Sequence, residues 1–128
     1  MMRIDYTIRI TPHGDGMRAE VEGTSCMAAT VAYWREIAGW ARRHDARTLL
    51  LVDRLKGTPL TEAEWLRLVT SMHGEGLEKL RIAHVKPLGL GEVEFCEIFA
   101  RDSGIEARVF ENETLAEVWL RYGERGED

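Results

Sequence analysis

Polar and apolar residues alternate from the start of the chain: Ile4, Tyr6, Ile8 and Ile10 interleave with Arg3, Asp5, Thr7 and Arg9. A period of two places each set on its own face of a strand, one face buried and the other wet. Thr11 to Gly16 reads as a turn-rich break. Met17, Ala19 and Val21, alternating with Arg18, Glu20 and Glu22, supply a return strand. Residues 1–23 are therefore a predicted β-hairpin. Gly23, with Thr24 or Ser25, ends it and caps a helix.

The period then changes. Over residues 25–44 the apolar positions recur at helical spacing, about 100° per residue. Met27, Val31, Trp34, Ala38 and Ala41 fall on one stripe, flanked by Thr30 and Ile37. Ala29, Tyr33 and Trp40 extend the apolar arc onto a second face, wider than one sheet contact demands. Arg47 to Asp53 is a continuous apolar run closing on a charge, the pattern of a central parallel strand covered on both faces. Thr61-Glu62-Ala63-Glu64 is a capping box. It opens a helix with Trp65, Leu68, Val69 and Met72 inward, ended by Gly74 and Gly76. Leu80 to Val85 is the next strand, and Lys86 to Gly91 the loop after it. Glu92 to Asp102 reads as a helix with Val93, Cys96, Phe99 and Ala100 inward, stopped by Gly104. Ala107 to Phe110 is the last strand. Asn112 or Glu113 opens a closing helix whose apolar set is Leu115, Val118, Trp119 and Tyr122.

The order is thus ββαβαβαβα. Strands separated by helices pair in parallel through right-handed crossovers, so the expectation is an α/β domain. It has an N-terminal hairpin and a mainly parallel central sheet covered by helices. One domain spans residues 1–122, and residues 123–128 lack an apolar anchor and are expected to fray.

Composition narrows the function classes. The chain has 128 residues, 45% hydrophobic and 30% charged, with a net charge of −5. No apolar run approaches the ~20 residues of a membrane span, and the N-terminus has no signal-peptide apolar region. A cytoplasmic protein is expected. The basic residues form no stripe, which argues against nucleic acid as a partner. Cys26 and Cys96 have no metal-ligand spacing and read as free thiols. His13, His44, His73 and His84 have no ligand spacing either. No cofactor, metal or catalytic triad is expected.

Three local patterns carry a family resemblance: Leu49-Leu50-Leu51-Val52-Asp53; Arg81-Ile82-Ala83-His84-Val85; and Ala107-Arg108-Val109-Phe110 followed by Leu115-Ala116-Glu117-Val118-Trp119-Leu120. With the element order, they resemble the STAS fold and its SpoIIAA-like family over residues 3–122. The resemblance implies a non-catalytic regulatory module that binds a protein partner, as the anti-sigma-factor antagonists do. Their switch is a serine directly after the Asp-ended strand, where a phosphate blocks the partner. Here the chain reads Arg54-Leu55-Lys56-Gly57-Thr58-Pro59-Leu60-Thr61, without that serine. Thr61 is the N-cap. Thr58 reads as a turn residue and is the one candidate phosphosite.

Two surfaces are singled out. Tyr33, Ile37 and Trp40 on the first helix are the expected partner or homodimer surface, because Tyr and Trp are enriched where a partner buries them. The alternative function is binding of a small apolar ligand in the crevice at the carboxyl ends of the strands. Asp53, Arg54, Leu55, Leu60, Lys86, Leu88 and Leu90 would line it.

Overall fold

The structure is a computed structural model, described here for residues 6–57, 60–87, 98 and 100–122. The expected helix at 92–102 therefore lies outside the described residues except near its end, as do Thr58, Leu88, Leu90, Cys96 and the tail at 123–128. The chain is mixed α/β. Strands β1 (Tyr6–His13), β2 (Gly16–Thr24), β3 (Thr48–Lys56), β4 (Arg81–Val85) and β5 (Glu106–Phe110) form one sheet in the order β1-β2-β3-β4-β5. Strands β1 and β2 are antiparallel, and every other pair is parallel. The helices described from end to end are α1 (Met27–His44), α2 (Glu62–Ser71) and α3 (Glu113–Tyr122), with a short 3-10 turn at Leu77–Lys79; Ile98, Ala100, Arg101 and Asp102 are also helical. No helix among the described residues is long and apolar enough to cross a membrane.

The hairpin is tighter than the sequence suggests. Strand β1 continues through Pro12 and His13, which pair with Met17 and Gly16, leaving only Gly14 and Asp15 in the turn. Proline is tolerated there because β1 is an edge strand. Strand β3 also outruns its expected end at Asp53. Arg54, Leu55 and Lys56 stay paired with Glu22, Gly23 and Thr24 of β2.

Each parallel strand steps to the next position in one direction, so right-handed crossovers bring successive helices to one face of the sheet. That face holds the larger core: Leu49, Leu51 and Leu55 of β3 pack with Trp34 and Ile37 of α1 and Trp65 and Leu68 of α2. The opposite face carries Leu50, Val52, Ala83 and Val85, covered by Ala116 and Trp119 of α3. Alternation along β3 thus divides one apolar run between two cores.

Helix ends follow local chemistry. Cys26, rather than Thr24 or Ser25, caps α1: its Sγ accepts from the Ala29 N–H at 3.4 Å, because β2 runs on through Thr24. The capping box of α2 forms as expected. Thr61 Oγ1 accepts from the Glu64 N–H at 3.2 Å, and Glu64 Oε1 accepts from the Thr61 N–H at 2.9 Å. Thr61→Ala should cost about 1 kcal/mol, read as a lower urea midpoint at unchanged m-value. Asn112 opens α3 by accepting from the Leu115 N–H at 2.8 Å. Tyr6 ties the edge strand to α1 through a 2.7 Å hydrogen bond to Glu36. Burial, together with the bond to Glu36 and its charge, pushes the Tyr6 phenol up to about 12.

Two sets of residues lie elsewhere than expected. In α1, Trp34, Ala38 and Ala41 with the flanking Thr30 and Ile37 are buried as expected, but Ala29 and Tyr33 join them while Met27 and Val31 are only partly buried. In α3, Leu115, Val118 and Tyr122 are exposed, and only Ala116 and Trp119 are buried. Alanine is the reason: a small side chain lets the helix approach the sheet closely along the 116/119 line. The bulkier neighbours are left outside that contact.

Candidate functional site

A polar cluster sits on the helix-covered face, at the carboxyl ends of β3 and β4. Leu49, Leu51, Asp53 and Leu55 share one parity of β3, so Asp53 enters the core side rather than solvent. His84 shares the same face of β4 with Ile82, one strand over. Asp53 and His84 are 3% and 2% exposed. Asp53 Oδ2 accepts from His84 Nε2 at 2.9 Å and faces Lys86 Nζ at 3.4 Å, while Oδ1 accepts from the Leu55 N–H at 3.1 Å. The His84 ring is flanked edge-on by Trp34 and Trp65, each with its centroid 6.3 Å away.

Burial alone would raise the Asp53 carboxyl. The hydrogen bond and charge of His84, the charge of Lys86 and the Leu55 amide outweigh it and hold the group below the usual aspartate range. Asp53 is therefore a carboxylate and can only accept, so His84 Nε2 carries the hydrogen of their bond. Both carboxylate oxygens are engaged by the chain itself. Asp53 is thus not presented to solvent as a nucleophile or a metal ligand. Its position closes the end of the sheet core.

Among the expected crevice residues that are described, which leaves out Leu88 and Leu90, the fold brings Asp53 and Lys86 together and gives Arg54, Leu55 and Leu60 other surroundings. Arg54 points to the opposite face, where its Nε donates to Glu20 Oε2 at 2.8 Å. Glu20 also meets Arg18, and Arg18 Nε donates to Glu113 Oε2 at 2.9 Å, linking α3 to the hairpin. The hydrogen bond from Arg54 chiefly holds Glu20 below the usual glutamate range. The Arg18 bond does the same for Glu113. Leu55 and Leu60 are buried core residues, not lining residues of an open crevice.

The expected surface on α1 is also corrected. Tyr33 and Ile37 are fully buried in the chain's own core, because the helix turns that arc onto the sheet. Only Trp40 remains partly exposed, and it stacks on His44 at a centroid distance of 3.9 Å. Two features were missed in the sequence. One is His84, whose signal was a polar residue inside a buried strand, since such a group needs a buried partner. The other is the outer face of α3. Leu115, Val118 and Tyr122 are 57%, 51% and 50% exposed. At 100° per residue, these three positions span about 60° of the helix circumference, forming one stripe. The chain matches no family model and no curated protein.

Proposed function

We propose that this chain is a non-catalytic regulatory interaction module that works as a homodimer, with α3 as its contact surface. The observation that carries this reading is the stripe of Leu115, Val118 and Tyr122, half exposed on a helix whose opposite side is anchored in the core. A contiguous apolar stripe on an outer helix is the kind of surface that a partner covers. A second copy suits it well. The helix has acidic Glu113 in its first turn, with Glu111 just before it, and Arg121 in its last. Two copies packed antiparallel would set each basic end beside the other's acidic start, with opposed helix dipoles. The hairpin followed by parallel βα units also accords with the STAS-like architecture that the sequence resembles, whose members act by binding proteins. The surface differs from the one expected on α1.

The test is sedimentation velocity on the wild type beside a Leu115→Glu/Val118→Glu variant. The wild type should sediment as a dimer. The variant should sediment as a monomer with an unchanged circular dichroism spectrum, since neither side chain is buried. A wild type that stays monomeric at every loading concentration would overturn the proposal.

A further inference from the structure

A cleft of about 320 Å³ opens at the amino ends of β3, β4 and β5, at the other end of the sheet from Asp53 and Lys86. Four cations line it: Arg47 just before β3, Lys79 and Arg81 around the start of β4, and Arg121 in the last turn of α3. They are scattered along the chain, and the sheet gathers them. The Arg81 N–H donates to the Arg47 carbonyl at 2.9 Å, and the Arg47 N–H donates to the Asp15 carbonyl at 3.0 Å. Three carboxylates line the cleft too, and each has a partner within the chain. Glu106 pairs with Arg81 Nε at 3.2 Å. Glu78 Oε2 accepts from the Gly74 N–H at 3.0 Å, and Asp15 Oδ1 accepts from the Thr48 hydroxyl at 3.2 Å. Arg81 is further engaged by the Leu120 carbonyl at 3.1 Å. Arg47, Lys79 and Arg121, by contrast, make no ion pair among the described residues.

Cations gathered around one concavity repel one another, and the shape of a cleft concentrates their field on whatever enters it. In a chain with a net charge of −5, such a gathering suits an anion. The donor set narrows its chemistry. Guanidinium forks and an ammonium group match phosphoryl oxygens, which accept several charge-assisted hydrogen bonds at once. Three cations also answer more negative charge than a single carboxylate carries. The only apolar residues of the wall are Leu80, itself buried, and Leu120, so little there receives an apolar body. We infer that this cleft binds a compact phosphate polyanion, held by Arg47 and Lys79 and bordered by Arg121.

The probe is sodium diphosphate, titrated at low ionic strength into ¹⁵N-labelled full-length protein. The Arg47, Thr48 and Arg81 amide resonances should shift along one saturable curve, while those of Asp53 and Lys86 stay in place. Added sodium chloride should weaken the binding, since exposed charges are screened. Arg47→Gln/Lys79→Gln should weaken it about tenfold or more, because each side chain supplies a charge-assisted hydrogen bond. Both side chains are exposed, so the variant should keep the wild-type circular dichroism spectrum. Lys79→Gln alone carries the comparison if the double variant misfolds. Arg35→Gln removes an exposed arginine of α1 outside the cleft and should bind as the wild type does. Adenosine diphosphate separates the sources of the phosphate. Tighter binding than diphosphate assigns the group to a nucleotide, and equal or weaker binding assigns it to the free ion. Absence of a saturable shift at millimolar diphosphate would overturn the inference. So would an equal loss in Arg35→Gln, because binding would then follow overall charge rather than this cleft.

Discussion

Asp53→Ala should lower the unfolding free energy by about 3–5 kcal/mol, the usual cost of breaking a buried pair by removing one partner. The residue closes three interactions at once: His84 Nε2 at 2.9 Å, Lys86 at 3.4 Å and the Leu55 amide at 3.1 Å. Its removal takes the partner from His84 Nε2, while Nδ1 has no hydrogen-bond partner among the described residues. The pH dependence follows from the direction of the Asp53 shift. Its folded value lies below the usual one, so the unfolded chain binds the proton more readily. The stabilisation is fully present above about pH 4, the ordinary aspartate range. It is lost as the pH falls through the folded value. Urea unfolding across the acid range should show this limb in the wild type. Asp53→Asn, which keeps the shape and removes the charge, should flatten it, although Glu20 and Glu113 will leave some slope. An acid limb unchanged in Asp53→Asn would assign the dependence to other carboxylates.

Gly16→Ala should be the most damaging single-carbon change in the hairpin, at about 3 kcal/mol, near the upper end for overpacking a tight site. Gly16 is buried at the start of β2, where the chain passes directly against the start of β3. A Cβ there would overlap the Thr48 carbonyl oxygen and lie 2.6 Å from the Thr48 nitrogen. These are backbone atoms of a residue paired in the β3–β4 ladder, so no side-chain rotation relieves the clash. Gly14→Ala in the neighbouring turn is a useful contrast. Its backbone φ of 59° disfavours a side chain, but nothing lies within 4 Å of the added carbon. That variant should lose about 1 kcal/mol. Equal midpoints for the two variants would argue against the close approach at Thr48.

The parts of the fold that were legible in the sequence are those fixed by local chemistry. The β3 run, the capping box at Thr61 and the α2 stripe of Trp65, Leu68, Val69 and Met72 each depend on neighbours within a turn or two. They appear where expected, with β3 running on past Asp53 to Lys56. What stayed hidden depends on contacts between distant segments. In α1 the apolar arc is so wide that several rotations of the helix satisfy the pattern. Only packing against the sheet selects the one that buries Tyr33 and Ile37. In α3 the largest apolar residues look like the core set, yet the close approach at Ala116 decides which line faces inward. The Asp53–His84 pair joins residues on separate strands. Their meeting needs the β3–β4 register, in which Leu51 rather than Asp53 lies opposite His84. Arg54 left the expected crevice for the same kind of reason: one step along a strand reverses the face.

In the proposed dimer a second copy of the chain covers the α3 stripe. Methyl NMR of Leu115 and Val118 over a dilution series tests it most directly, with Leu66 as an exposed control on α2. The Leu115 and Val118 methyl resonances should move together with protein concentration while those of Leu66 stay fixed. Leu115 and Val118 resonances that do not change between dilute and concentrated protein, in a sample that sediments as a monomer throughout, would contradict it.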